Sequence, residues 1–292
     1  MKWVRIAVQT NDIALDAVSA AMEALGTGGT LFEDGPKAIG YLPADDRFEG
    51  SLDELEEHLH AMPEAGIDPA PAAITLTFVE EEDWASAWKA HFKPLAVSPR
   101  ITIAPTWEAY HGRPDEIVVR LDPGMAFGTG GHATTRLCIR ALETLIHGGE
   151  TVADIGTGSG VLAIAAAQLG ADHVDAVDTD ALAVKIAREN IEANGVSDRV
   201  RARVGDRLIG ASGASGAYDI VIANILPNVV SILAVSAYSR LRAGGIYLFS
   251  GLTLPYEEDV LTAVAEAGFE VGERWEEDRW LAITAVKPVS AG

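Results

Sequence analysis

A glycine-rich turn in the second half of the chain has the clearest chemical potential. The run Thr151 to Ile155 leads directly into Gly156-Thr157-Gly158-Ser159-Gly160, and an apolar run follows. Glycines between a strand and a helix allow backbone amides and the helix N-terminus to approach a bound ligand closely. We therefore expect Gly156, Gly158 and Gly160 to border a cofactor site.

The spacing of these glycines separates two classes of cofactor. Nicotinamide and flavin enzymes use Gly-x-Gly-x-x-Gly, whereas here the third glycine is Gly160 and Val161 follows it. Asp154, two residues before the first glycine, adds a carboxylate that would repel a pyrophosphate. The zwitterionic, sulfonium-bearing end of S-adenosylmethionine tolerates such a neighbour. The pattern favours S-adenosylmethionine as cofactor over the dinucleotide of an oxidoreductase.

Further polar positions follow the predicted strands of this half. HVDAVD ends at Asp178, whose carboxylate can accept hydrogen bonds from both ribose hydroxyls of either cofactor class. Asp180 is expected to cap the next helix. Gly205-Asp206 follows the third strand and either meets the adenine edge or forms a turn. YDIVIAN delivers Asn224 either to the ligand crevice or to a helix N-cap.

Alternating strand and helix patterns position these residues. This order is expected of a parallel sheet with helices on both faces. We predict strands at 151–155, 173–178, 199–204, 218–223 and 245–250, and helices near 160–169, 180–194, 227–241 and 257–267. The strand-like runs 268–275 and 280–287 are joined by a short acidic turn, which predicts a final antiparallel hairpin.

The first part of the chain has a different pattern. Strand and helix periodicities at 2–9, 12–25, 30–33, 38–42, 52–62 and 73–79 give the order βαββαβ, the ferredoxin-like arrangement. Helix 12–25 is predicted to place Ile13 on its apolar face. The segment EEEDWASAWKAHFKP then carries Trp84 and Trp88 at helical spacing, either for packing or for substrate contact. We assign a ferredoxin-like domain to 1–80, a helical connector to 81–100 and a catalytic domain to 101–292.

Charge and hydropathy limit the class of partner. The chain carries 22 basic and 43 acidic residues, and residues 1–100 (7 and 18) and the remainder (15 and 25) are both acidic. A phosphate backbone would be repelled, so we expect no direct nucleic acid partner and consider a basic protein suited to either part. Apolar runs are far shorter than the ~20 residues that cross a bilayer. No signal-peptide pattern is present at the N-terminus, so we expect a soluble, cytoplasmic protein without a membrane partner.

The sequence contains one cysteine, which limits the chemistry that thiols could provide. One thiol cannot form an internal disulfide or a thiolate metal cluster. Cys138 lies in a helical stretch with apolar neighbours, which indicates a packing role rather than a nucleophile. We assign no metal site.

The cofactor features together resemble a class I methyltransferase, an α/β fold with a doubly wound seven-stranded sheet that ends in an antiparallel hairpin. A narrower resemblance comes from LDPGMAFGTGGHATTRLC (121–138), which is similar to the loop before the glycine motif in the methyltransferases of ribosomal protein L11. The connector, VIANIL and the SGL at 250–252 share that similarity, which covers essentially the whole chain. Two positions depart from the family pattern: Gly131, where the family usually has Thr or another residue before the histidine, and Ala133, where Pro is common.

This resemblance implies residue roles and a reaction. The loop threonine that contacts the cofactor corresponds to Thr135, with Thr134 beside it. The first glycine corresponds to Gly156, the ribose acid to Asp178 and the strand-four asparagine to Asn224. The implied acceptors are lysine side chains and the N-terminal amine of ribosomal protein L11, methylated from S-adenosylmethionine.

Chemistry alone adds two residues of the same loop. Phe127 is placed to cover the sulfonium through a cation–π contact. His132 either orients the loop or relays a proton; with Asn224 it completes the predicted catalytic pair. Asp154, Gly158, Gly160 and Asp206 complete the predicted cofactor contacts.

Three alternatives remain open from the sequence. The nearest is a lysine methyltransferase of the electron-transfer flavoprotein β subunit, which shares much of the catalytic half but generally lacks so complete an N-terminal domain. The others are a dinucleotide-binding oxidoreductase, disfavoured by Val161 and Asn224, and a non-catalytic sensor of the cofactor, disfavoured by the intact loop.

Overall fold

Two compact units make up the chain. In the computed structural model the first comprises residues 1–92 and the second residues 93–292. The structure describes residues 2–11, 13–25, 27, 31–33, 36–65, 67–80, 93–122, 131–205 and 218–289. Residues 81–92 of the predicted connector, with Trp84 and Trp88, lie outside the described residues, so this part stays a prediction. The prediction of a helix was wrong for residues 93–100, which belong to the second unit and include a short strand at Leu95–Ala96.

An antiparallel sheet with two helices forms the described part of the first unit. Its elements are β1 (Lys2–Gln9), α1 (Leu15–Ala24), β2 (Leu31–Glu33), β3 (Lys37–Pro43), α2 (Phe48–Ala61) with a 3-10 turn (Met62–Ala65) after it, and β4 (Ala73–Glu80). The strand order is β2-β3-β1-β4, and β1 is antiparallel to both β3 and β4. This confirms the predicted ferredoxin-like order.

The apolar face of α1 differs from the predicted one. Ile13 is 71% exposed, so its assignment to the core was wrong, and Ala14, Val18 and Met22 are fully buried instead. The reason is local: the Asn11 side chain accepts the backbone N–H groups of Ile13 and Ala14, and this turn directs Ile13 to solvent before the helix begins.

The second unit contains a small sheet and a large one. Its elements are β5 (Leu95–Ala96), β6 (Ile101–Pro105), β7 (Ile117–Leu121), α3 (Ala133–Leu145), β8 (Thr151–Ile155), α4 (Val161–Leu169), β9 (His173–Asp178), α5 (Ala181–Ala193), β10 (Val200–Val204), β11 (Tyr218–Asn224), α6 (Pro227–Arg240), β12 (Leu241–Thr253), a 3-10 turn (Leu254–Tyr256), α7 (Glu257–Glu266), β13 (Glu270–Glu277) and β14 (Trp280–Val286). β5, β6 and β7 form the small sheet.

The large sheet has the predicted seven strands, in the order β10-β9-β8-β11-β12-β14-β13. The first five are parallel, and β14 pairs antiparallel with both β12 and β13. Its two faces bury separate cores: Val152 packs in the cluster of α3, α4 and α5, and the adjacent Ala153 packs in the cluster of α6 and α7. The sheet is therefore doubly wound, and the carboxyl ends of β8, β9 and β11 share one edge.

Strand β12 is longer than predicted. It runs from Leu241 to Thr253, and its pairing with β14 shifts register between Ser250 and Leu252. Gly251 lies at this irregularity with φ +88°. Among the described helices, none is both long and apolar enough to cross a bilayer.

Candidate active site

The glycine turn between β8 and α4 requires glycine for its backbone. Gly156, Gly158 and Gly160 have φ of +72°, +54° and +84°, in the left-handed region that side chains disfavour. The amides of Gly156 and Thr157 donate to the carbonyl of Val177 at 2.8 and 3.0 Å, which fixes the turn to the end of β9. The predicted turn is thus a rigid backbone structure at the carboxyl edge of the sheet.

Asp154 is a buried carboxylate at the end of β8. It is 1% exposed, Oδ2 accepts the hydroxyl of Thr157 at 2.6 Å, and Oδ1 has no hydrogen-bond partner within the described residues. Burial, aided by the charge of Asp178, raises the pKa of Asp154 to about 6, although the Thr157 hydrogen bond lowers it. An unpaired buried acceptor of this kind is suited to a donor from a ligand.

Asp178 and Asp180 take different roles at the end of β9. Asp178 is half-buried; its Oδ2 accepts the amide of Gly158 at 2.9 Å, and its Oδ1 accepts the amide of Asp180 at 3.0 Å. Asp180 accepts the amide of Leu182 at 2.8 Å and caps α5, as predicted. Asp178 is therefore oriented toward the glycine turn with lone pairs left for a ligand.

Asn224 ends β11 without capping the following helix. The N-cap of α6 is Leu226, so the alternative N-cap role was wrong. Asn224 is 9% exposed, and its Oδ1 has no hydrogen-bond partner in the described part of the chain. Its register partner on β12 is Ser250, whose hydroxyl donates to Leu281 at 2.6 Å. The amide oxygen of Asn224 thus remains available at the sheet edge.

Gly251 explains why a glycine follows Ser250. A Cβ at Gly251 would lie 1.9 Å from the carbonyl oxygen of Ile225, which immediately follows Asn224. A Cβ at Gly156 would also meet Ile225, 2.4 Å from its Cγ2. Gly156 after β8 and Gly251 within β12 therefore make room for the turn that follows Asn224.

His132 caps the N-terminus of α3, the helix that contains the predicted loop threonines. It is the N-cap of α3, and its Nδ1 accepts the backbone N–H of Thr134 at 3.3 Å and the hydroxyl of Thr134 at 2.7 Å. Its ring meets the Trp280 ring edge-on, with centroids 4.7 Å apart. Burial, followed by the charge of Arg136, lowers the pKa of His132 to about 4, so the ring is neutral at pH 7. These contacts favour the loop-orienting role over proton relay.

Thr134 and Thr135 are not equivalent. The Thr134 hydroxyl is engaged by His132, whereas the Thr135 Oγ1 is buried and has no partner among the described residues. One turn along α3, Cys138 is fully buried, which confirms its packing role. Burial raises the pKa of its thiol to about 12, with Ser250 as hydrogen-bond partner and the charge of Asp154 adding to the rise. This face of α3 therefore lies over the same sheet edge.

The final hairpin fixes the start of α3. Arg136 bonds to the carbonyl of Gly131 and pairs with Glu277, which also pairs with Arg140 at 2.7 Å. Burial opposes ionisation of Glu277, but the two arginines keep its pKa lowered. The end of the predicted loop is thus held by β13.

Two predicted site residues cannot be placed. Phe127 and Asp206 lie outside the described residues, so their roles stay predictions. The structure brings the other predicted site residues to one edge of the sheet, from the ends of β8, β9 and β11, the glycine turn and α3: Thr135, Asp154, Gly156, Gly158, Gly160, Asp178 and Asn224. His132 and Thr134 lie at the start of α3, which packs beside that edge.

Comparison with known sequences decides the family. The family model described as ribosomal protein L11 methyltransferase (PrmA) matches residues 2–288. The chain belongs to the ribosomal protein L11 methyltransferase family. A relative with that name from Exiguobacterium sp. is 39% identical over 315 residues, covering 98% of this chain and 100% of the relative. Another from Heliobacterium modesticaldum is 42% identical over 312 residues, covering 98% and 97%.

A solved structure agrees with the fold. The crystal structure of a ribosomal protein L11 methylase from Lactobacillus delbrueckii subsp. bulgaricus is similar with a TM-score of 0.63 and 33% identity. The match covers 68% of this chain and 100% of that one. The predicted class I methyltransferase fold is confirmed.

Proposed function

We propose that this chain transfers methyl groups from S-adenosylmethionine to lysine and N-terminal amines of ribosomal protein L11. The observation that supports it most is that three side chains of the candidate site each bury one oxygen atom that has no hydrogen-bond partner among the described residues: Thr135, Asp154 and Asn224. A structure rarely leaves buried polar atoms unpaired unless a ligand or water satisfies them. The names of the full-length relatives supply the acceptor protein.

The residues present fit this cofactor. Asp154 offers a carboxylate oxygen suited to the ammonium of the methionyl moiety, and Asp178 offers lone pairs suited to ribose hydroxyls. The glycine turn brings backbone close to a ligand without side chains in between. When bound, S-adenosylmethionine supplies an electrophilic methyl group on a sulfonium.

The protein's task is then to align and deprotonate an amine. We propose that the Asn224 amide oxygen accepts a hydrogen bond from the acceptor nitrogen and directs its lone pair. Freeing that lone pair at neutral pH takes about 4 to 5 kcal/mol for lysine and about 1 kcal/mol for an N-terminal amine. His132 stays neutral and occupied at Nδ1, so we propose that it holds α3 in place and that the proton leaves through water.

We also propose that residues 1–80 capture the substrate. The exposed surface of α2 carries acidic side chains at Asp53, Glu54, Glu56 and Glu57. A surface of this charge attracts a Lys-rich protein and speeds association. A ribosomal acceptor would place the reaction in the cytoplasm.

Incubation with labelled S-adenosylmethionine and purified L11 tests the proposal. Mass spectrometry should find added methyl groups on L11 amines, and L11 whose amines have been acetylated should remain unlabelled. Label on RNA, or none on intact L11, would refute the assignment. The comparisons give no support to the alternative acceptor, the electron-transfer flavoprotein β subunit; adding it as a competitor should not reduce L11 labelling.

A further inference from the structure

Asn190 joins the backbone at Asp122 to the glycine turn of the candidate cofactor site. Its Oδ1 accepts the amide of Asp122 at 2.8 Å, and its Nδ2 donates to the carbonyls of Asp122 at 3.2 Å and Ser159 at 2.9 Å. Asp122 follows β7 at the start of segment 121–138, and Ser159 lies inside the glycine turn. The Asn190 side chain is 1% exposed. It links the backbone N–H and carbonyl of Asp122 to the carbonyl of Ser159.

Asn194, four residues later, holds the backbone of Arg120 as Asn190 holds that of Asp122, but its partners among the described residues do not include the glycine turn. Its Oδ1 accepts the amide of Arg120 at 2.8 Å, and its Nδ2 donates to the carbonyl of Arg120 at 2.6 Å. Its remaining side-chain partners are Gln168 and the carbonyl of Asn190. Asn190 and Asn194 therefore hold β7 alike, and only Asn190 extends the connection to Ser159.

Helix α5 contains Asn190, has Asn194 as its C-cap and lies directly against the glycine turn. A Cβ at Gly160 would be 3.3 Å from the Cβ of Ala187, which is one turn before Asn190. The same helix is capped by Asp180, whose amide donates to Asp178. The helix thus contacts the predicted ribose acid at its start and the Asp122 backbone near its end.

We propose that Asn190 is a positioning residue for S-adenosylmethionine, because it fixes the backbone at Asp122 to the glycine turn at Ser159. This inference rests on the proposed function. The backbone at Asp122 and the glycine turn then move as one body, and their separation is set before the cofactor arrives. Preorganisation of this kind acts on cofactor affinity rather than on the reacting atoms.

Asn190→Ala and the matched control Asn194→Ala separate this role from simple anchoring of β7. Both variants should lose thermal stability. Asn190→Ala should raise the dissociation constant for S-adenosylmethionine about tenfold, equivalent to about 1.4 kcal/mol, and raise its KM similarly. Its kcat at saturating cofactor should stay within about twofold. Asn194→Ala should change the dissociation constant by less than about twofold. Equal changes in the two variants would overturn the proposal.

Hydrogen exchange on the unaltered protein covers the case in which Asn190→Ala does not fold. Adding S-adenosylhomocysteine should slow exchange of the Asp122 amide, which Asn190 holds, by about tenfold. It should slow the Arg120 amide, which Asn194 holds, much less. Equal protection of the two amides would contradict a coupling through Asn190.

The dissociation constant and the hydrogen-exchange rates require no acceptor protein, so these two measurements fail independently of the proposed acceptor. An enzyme that binds S-adenosylmethionine with the expected Asn190 effect but leaves L11 unmodified refutes the acceptor alone. An enzyme that methylates L11 and is indifferent to Asn190→Ala refutes the positioning role alone.

Discussion

The hydroxyl of Thr157 donates to Oδ2 of Asp154 across 2.6 Å, in a place where Asp154 is almost fully buried. This hydrogen bond and one from the backbone of Ala163 do not offset the burial of the carboxylate, and the pKa of Asp154 is raised to about 6. Without a ligand, the ionised Asp154 carboxylate beside the glycine turn is therefore destabilising at neutral pH. A cationic ligand group would relieve it.

Asp154→Asn should change stability in a pH-dependent manner. A folded pKa raised above the unfolded value of 3.8 means that the stabilisation from the protonated acid is complete below 3.8 and is lost as pH rises through about 6. Relative to the unaltered protein, the variant's free energy of unfolding should therefore rise by about 2 kcal/mol between pH 4.5 and 7.5. Urea unfolding without cofactor measures this difference. A pH-independent difference would mean that Asp154 ionises normally.

Asp178→Ala should abolish most S-adenosylmethionine binding. Two charge-assisted hydrogen bonds to ribose hydroxyls account for a loss of about 100-fold. Asp180→Ala is the matched control, because it removes a helix cap worth about 1 kcal/mol two residues away. Calorimetry should find near-normal affinity in that control. Substitution at Gly156 is a poorer test, since any side chain there meets Ile225.

Asn224→Ala should lower turnover more than cofactor affinity. Its Oδ1 has no hydrogen-bond partner in the described part of the chain, and we propose that it accepts a hydrogen bond from the acceptor amine. We expect kcat to fall about 100-fold and the dissociation constant for S-adenosylmethionine to change less than about threefold. Single-turnover methylation at saturating cofactor separates the two quantities. Equal losses would reduce Asn224 to a cofactor contact.

His132→Asn should retain turnover within about threefold, because asparagine also caps helices well, whereas His132→Ala should lose about 1 kcal/mol of stability. The pH profile gives a second test. The pKa of His132 is lowered to about 4, so its contribution to stability is present above about 6.5 and is lost as pH falls toward 4. That acid loss should be weaker in His132→Asn. A shifted pH–rate profile in this variant would instead indicate proton relay.

Reversing the charges of Asp53, Glu54, Glu56 and Glu57 on α2 should raise the KM for L11 about tenfold and reduce its salt dependence. Reversing four exposed acids of the second unit serves as the control: Glu258, Asp259, Glu266 and Glu270. That variant should change KM less than about twofold. Both should keep the KM for S-adenosylmethionine. Equal effects would assign the attraction to overall charge rather than to the first unit.

The local sequence pattern was sufficient to predict the strands and helices that carry the site. Strand 151–155 was predicted within its observed bounds, since its apolar run and the glycines after it are adjacent in sequence. Ile13 was misassigned because the Asn11 turn competes with helix periodicity. Asn190 gave no signal: within a helix it resembles a solvent-facing residue, and its partner Asp122 lies 68 positions earlier. Contacts of that separation depend on tertiary structure.

The link between Arg136 and Glu277 spans 141 positions, and His132 rests on Trp280. During synthesis, the cap of α3 emerges from the ribosome long before the strands that support it. Domains begin to fold from the N-terminal side while translation continues. The first unit can therefore be complete while the candidate site is still unsupported, and we expect a nascent chain to become active only after Trp280 has left the exit tunnel.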